Sequence, residues 1–484
     1  MKLVKSLLLG SAAGIAAVAG AQAADLPSRK AAPVEYVRVC SAYGAGFFYI
    51  PGTDTCLRVG GRVRAEYTVG TRYGDGQDAY GTRARGRLNV DARTATAYGT
   101  LRTFFRYELT NSSGFYAGTI GGNQGIIPPG TARNGAAGAG TASNLDLAFV
   151  QFGPITAGRA QSFFDFYAND FGFSTIRTAD SRLNLLAYTA TFGSGFSATI
   201  SLEDRTTGTG ARDSFAVTTR TIAGARVRNN ADGSVDLAAL DFGRAVAIGG
   251  QDFPDIVASL RVDQGWGSAQ LSGAFRQNRV GALTVTLPGQ DPFVVGGTRG
   301  GDDYAWAIQG GVKINLPMLA AGDHLFLQAA YADGALGYIG YGGAAGTGRL
   351  TRITVADIGF DPVTGNVKNS TGWSVVAGLR HFWTPQLRSE IYGSYSQLSL
   401  GHTARAVFYA PGEVVRALDP KEILVAGNLI WSPVSGLDIG VEVLYARTEY
   451  KARVVPTNDL GVRAGAGIKS DDAWAGRLRI QRDF

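Results

Sequence analysis

Arginine recurs at even spacing in three stretches of the N-terminal third of the chain. Arg58, Arg62 and Arg64 stand in CLRVGGRVRAEYTV, Arg83, Arg85 and Arg87 in RARGRLNVDAR, and Arg102 and Arg106 in LRTFFRYEL. A guanidinium is planar, permanently charged and rich in donors. A row of them does not make a nucleophile or a general base; it makes a fixed field beside water, able to orient or filter ionic solutes. Patterns for other chemistry are missing. His324, His381 and His402 are far apart and show neither HExxH nor His-x-His spacing. GAAGAGT (135–141) and GYGGAAGTG (340–348) lack the Lys-Ser/Thr pair that closes a phosphate-cradling loop. The sequence therefore predicts no enzyme, no metal and no cofactor.

A spacing of two belongs to β-strands, whose side chains alternate between the sheet faces. Opposite the first arginine row lie Leu57, Val59, Val63, Ala65, Tyr67 and Val69; opposite the second lie Ala84, Leu88, Val90 and Ala92. A soluble sandwich would hide these apolar faces, whereas a transmembrane barrel would turn them outward. The N-terminus bears on that choice. Lys2 and Lys5 precede an apolar run over 7–19 and the small-residue stretch Ala21-Gln22-Ala23, the layout of a secretory signal peptide cut between Ala23 and Ala24. The expected division is a signal peptide over 1–23, a periplasmic lead-in over 24–54 and a barrel over 55–484. Cys40 and Cys56 are the two cysteines of an exported chain and are expected to form a disulfide. The formal charge of +7 includes Lys2 and Lys5, and so small an excess on 484 residues argues against a nucleic-acid partner.

Hairpins recur along the rest of the chain, for example 256–262 with 269–275, 306–316 with 325–331, 373–379 with 387–395, and 422–431 with 437–445. Short turns alternate with long polar connections at 111–143, 204–253, 277–302, 333–371, 399–420 and 447–470. That alternation suits a transmembrane antiparallel β-barrel of about sixteen strands, with short periplasmic turns and long extracellular loops. Trp306, Trp373 and Trp474 open strands after long loops, while Trp266, Trp383 and Trp431 lie in or beside short turns. Indole rings at both strand ends are expected at the two membrane interfaces. The chain closes on Phe484 after DDAWAGRLRIQRD, with Trp474, Leu478, Ile480 and Phe484 sharing one face. The arginine faces then look inward, at water.

VEYVRVCSAYGAGFFYIPGTDTCLRVGG at the start, the barrel and the closing DDAWAGRLRIQRDF resemble the general porins of alphaproteobacterial outer membranes. That resemblance covers nearly the whole mature chain. It implies a homotrimer of sixteen-stranded barrels in outer-membrane lipid, passing small hydrophilic solutes by passive diffusion. It also implies a loop after the fifth strand that folds into the lumen, here AQSFFDFYANDFGFSTIRTADSR over 160–182. On this loop Asp165 and Asp170 are expected to face Arg58, Arg62, Arg64, Arg83, Arg85, Arg87, Arg102 and Arg106 across a charge-lined constriction that leans weakly to anions. Pairing of some arginines with Glu66, Asp91 and Glu108 along the wall is the plainer reading. The alternatives are an outer-membrane binding protein or adhesin with a closed lumen, and a secreted soluble β-protein.

Overall fold

A computed structural model describes residues 38–71, 78–114, 139–205, 251–279, 283–285, 293–295, 302–350, 353–360, 367–400, 418–454 and 466–484. The signal-peptide junction at Ala23 and Ala24 lies outside these residues, as do most of the long connections at 111–143 and 204–253. The chain divides into two compact units, Met1–Cys56 and Leu57–Phe484. The described part of the first is a small knot. Cys40 and Cys56 form a disulfide with a Cα–Cα distance of 5.9 Å, and Phe47 is buried against both, with Tyr43 and Tyr49 packed alongside. The disulfide expected from the sequence is present, and residues 38–56 fold around it, because the cross-link removes much of the freedom such a short piece has when unfolded.

The second unit is a closed antiparallel barrel of sixteen strands. In chain order they are β1 (Thr55–Gly70), β2 (Tyr80–Thr96), β3 (Gly99–Gly114), β4 (Ala139–Phe152), β5 (Ile155–Gln161), β6 (Arg182–Gly193), β7 (Phe196–Glu203) and β8 (Asp255–Gln264). There follow β9 (Gly267–Arg279), β10 (Asp302–Asn315), β11 (His324–Asp333), β12 (Thr371–Thr384), β13 (Leu387–Ser399), β14 (Lys421–Val434), β15 (Leu437–Val454) and β16 (Ile468–Asp483). Closure comes from β1 pairing with β16, from Arg62↔Asp483 to Gly70↔Ala475. Just beyond, Gly61 and Phe484 exchange backbone hydrogen bonds in both directions. Among the described residues each barrel strand pairs with a neighbour on both sides, as a sheet in hydrocarbon requires.

Two-residue turns alternate with long connections around the barrel, with 316–323 the one longer turn on the short side. The outer face is apolar and uncovered: Val59, Val63, Tyr67, Leu88, Leu186, Leu260, Ile391 and Val443 are all exposed. Trp306, Trp373, Trp383, Trp431, Trp474, Trp266 and Phe484 are exposed too. At the long-loop ends the rings pair across strands, Trp306 with Tyr331, Trp373 with Tyr395 and Tyr445 with Trp474, at 5.3, 5.4 and 4.6 Å between centroids.

The inner face has two different halves. On β16 and β1–β4 it is charged. On β10–β15 it carries Ala305, Ala307, Phe326, Ala330, Ala332, Val376, Leu424, Ala426, Leu444 and Ala446, all buried. These apolar inward positions, interspersed with the polar groups Gln328, Glu390, Glu422 and Glu442, are covered because two chain segments fill the interior beside them. One is 162–181, between β5 and β6. The other begins at Gly334, after β11, and corrects the expectation of a long polar loop over 333–371. Leu336, Tyr338, Ile339, Tyr341, Val355 and Ile358 are fully buried in one core with Phe164 and the inner-wall alanines. Removing that apolar surface from water draws the segment inward.

Candidate functional site

The charged half of the inner wall is built from the alternating strands themselves. Each inward position on β1–β3 faces the next strand's inward position in register, so arginines and carboxylates meet across the sheet. Arg62 pairs with Asp483 at 2.5 Å. Arg83 donates its Nε to Glu66 at 2.5 Å, and Arg87 its Nε to Glu108 at 2.7 Å. Arg85 lies 3.6 Å from Glu108. Arg102 and Arg93 share Asp91, at 3.0 and 2.8 Å, and Arg106 reaches Asp146 at 3.3 Å. Arg64 donates Nε and Nη2 to Gln481 at 3.0 and 2.8 Å. Arg58 is exposed at the foot of β1.

The plainer reading of wall pairing therefore describes most of these residues, yet it does not neutralise the wall. Eleven guanidiniums stand on the inward positions of β16 and β1–β3, counting Arg477 and Arg479, against the six carboxylates Glu66, Asp91, Glu108, Asp146, Asp471 and Asp483 of the same wall and β4. The side chains of Arg62, Arg83, Arg85, Arg87, Arg102 and Arg106 keep 15–27% exposure, so the surplus charge meets solvent. Glu66 is the hub: Arg479 holds it at 2.7 Å, Arg83 at 2.5 Å, and Arg477 lies 3.8 Å away.

Segment 162–181 is fastened across the opposite half by side chains of the wall. Glu203 on β7 accepts the Ser162 hydroxyl at 2.6 Å and the Phe163 N–H at 3.0 Å. Gln270 on β9 donates to the carbonyls of Phe163, Phe164 and Asp165 at 3.2, 3.3 and 3.1 Å. Gln328 on β11 accepts the Tyr167 N–H at 3.0 Å. Further along, Glu390 on β13 accepts the Gly172 N–H and Glu442 on β15 the Phe173 N–H, each at 2.7 Å. Arg479 on β16 stacks 3.9 Å over the Phe173 ring. An irregular backbone inside a barrel has no ladder of its own, and these wall groups supply its hydrogen bonds. Gly172 is required at the tip: its φ is +70°, and a Cβ there would lie 2.2 Å from the Tyr392 ring.

The two loop carboxylates sit differently from expectation. Asp165 is buried at the neck of the segment, accepting the Ser181 N–H at 2.7 Å and Gln161 Nε2 at 2.5 Å. It does not face the β1–β3 arginines; a buried carboxylate takes the donors nearest to it, here on its own loop and at the end of β5. Asp170 is exposed and borders a polar recess, but with Arg261, Asp263 and Lys313 from β8 and β10. Sequence spacing missed Arg261 and Lys313 as neighbours in this recess, and missed Arg477 and Arg479, though both lie on the polar parity of the last strand. It also missed the glutamines Gln270, Gln309 and Gln328, whose inward parity on apolar strands is the signal that could have found them.

A family model described as a porin subfamily matches residues 25–477. The chain is 32% identical over 401 residues to the porin Omp2b of Brucella suis, covering 76% of this chain and 93% of that protein. The chain belongs to the alphaproteobacterial porin family. Another porin relative, Omp2b of Brucella neotomae, is 40% identical over 211 residues, 41% of this chain and 54% of that one. Among solved structures, the outer membrane channel DcaP of Acinetobacter baumannii shares the fold, with a TM-score of 0.55 at 14% identity over 90% of this chain and 99% of that chain. This porin is thus an outer-membrane channel, and family membership implies a channel rather than an enzyme. The adhesin alternative finds no support.

Proposed function

We propose that this porin passes small hydrophilic solutes by passive diffusion through a lumen narrowed by segment 162–181, with a weak preference for anions. The observation that carries the preference is the surplus of guanidiniums over carboxylates on this wall, with those of β1–β3 partly exposed to solvent. A net positive wall in a low-dielectric tube concentrates anions and repels cations. The apolar outer face meets lipid, and Trp306, Trp373, Trp474, Trp383, Trp431 and Phe484 sit at the two interfaces. The assembly is a homotrimer, as the family resemblance implies, and no catalytic role is assigned. Measured in planar bilayers, the zero-current potential across a KCl gradient is expected to take the sign of chloride preference. A clear potassium preference removes the proposal while leaving the channel itself intact.

A further inference from the structure

We infer that solutes cross only the part of the lumen lined by β1–β4, the opposite half being sealed by a second inserted segment that starts at Gly334. The inference rests on the porin reading and says which part of the barrel does the conducting. An ordinary water-filled tube would wet its inner wall all round. Here Ala274, Ala305, Ala307, Ala330 and Ala332, all on inward positions of β9–β11, are at most 7% exposed, against 15–27% for the arginines across the barrel. What covers the alanines is the second segment together with the first. The Tyr338 ring meets Phe164 of segment 162–181 edge-on at 4.5 Å.

Polar anchors fix the second segment to the wall. Arg276 on β9, fully buried, is held by Asp255 on β8 at 2.6 Å and by Asp357 of the segment at 3.0 Å. The Tyr338 hydroxyl donates to the same Asp255 at 2.8 Å, and Asp357 accepts the Leu336 N–H at 2.7 Å. The Tyr341 hydroxyl pairs with Ser396 on β13 at 2.7 Å. Buried charges are retained only where partners satisfy them, and each of these partners belongs to a different part of the enclosure. The arrangement is a built plug, not a loop resting on water.

Arg177 locks the two segments together. It lies on segment 162–181, donates Nε to Glu422 at 2.6 Å and Nη1 to the Gly340 carbonyl at 3.0 Å, and lies 4.0 Å over the Tyr341 ring. The contact is close enough to demand glycine: Gly340 has φ +86°, and a Cβ would lie 2.5 Å from the Thr178 nitrogen. Arg177 is therefore a positioning residue for the constriction. By closing the apolar half, the two segments press every permeating solute against the guanidinium wall, so the solutes served best are small anions such as carboxylates and phosphates.

The test is cysteine accessibility in the full chain reconstituted in bilayers, where Cys40 and Cys56 are already paired. A membrane-impermeant methanethiosulfonate reagent is expected to label Asn89→Cys on β2 and to lower its conductance. Ala332→Cys on β11 is expected to label at least about tenfold more slowly, through local opening alone. Adding Tyr338→Ala or Arg177→Gln to Ala332→Cys should speed its labelling, and Arg177→Lys should restore slow labelling in part. Labelling of Ala332→Cys in the otherwise native chain as fast as Asn89→Cys overturns the sealed half while leaving the porin reading standing. Labelling at neither position overturns the open lumen, and the half-lumen with it.

Discussion

Glu66 carries more of the charged wall than any single arginine around it. It is 1% exposed and is the carboxylate shared by Arg83, Arg477 and Arg479. Glu66→Gln keeps the shape and removes the charge, leaving three guanidiniums facing an amide. Breaking a buried pair by removing one partner costs on the order of 3–5 kcal/mol, to be read as a lower urea midpoint for the detergent-solubilised barrel. The same variant should shift the zero-current potential further towards chloride. Arg58→Gln is the comparison: exposed at the strand's foot, it should change stability by no more than about 0.5 kcal/mol. A Glu66→Gln barrel as stable as Arg58→Gln would remove the hub. Spacing made the arginines of β1–β3 legible, and with them the neighbours Glu66, Asp91 and Glu108. The bond from Arg479 to Glu66 spans 413 residues; it exists only because β16 closes on β1, and no local pattern carries it.

At the scale of strands, orientation follows from alternation, and a single outward position tests it. Val63 is exposed on the outer face between Arg62 and Arg64, which look inward. Val63→Arg puts a charge on the lipid side near mid-strand, a change that costs about 2–4 kcal/mol at the bilayer midplane. The expected outcome is a lower folded fraction in the heat-dependent shift of gel migration, whereas Arg64→Val should leave that fraction high. Equal folding of the two variants would contradict the outward apolar face. Alternation was readable in β1–β3 because water on one side and lipid on the other demand opposite residues. It was weak in LFLQAAY of β11 and EILVAGNLIW of β14, where both faces are dry. Such two-sided apolar strands signal cover on the inner side. In the segment after Gly334 the glycines mask Leu336, Tyr338, Ile339 and Tyr341, whose apolar surface decides where it goes.

For the whole molecule, the question is whether selectivity comes from the field of the wall or from contact with single sites. The wall arginines spread over four adjacent strands, β16 and β1–β3, so an ion in the open half feels many of them at several ångströms rather than one at bonding distance. Such a field is screened by salt, over about 10 Å at 0.1 M and about 3 Å at 1 M. Charges already paired at 2.5–3.3 Å, such as Arg62–Asp483 and Arg106–Asp146, change little with salt. The net positive excess, left because two or three arginines share one carboxylate, carries the long-range potential and loses reach. Chloride preference, measured as the zero-current potential at a fixed KCl ratio, should therefore fall towards that of free diffusion as the mean concentration rises from about 0.1 to about 1 M. Glu66→Gln, with more surplus charge, should start higher at low salt and converge on the same limit. Preference that stays undiminished at high salt would mean that anions are dehydrated and bound one at a time, and the arginine wall would then act as a chain of sites instead of a field.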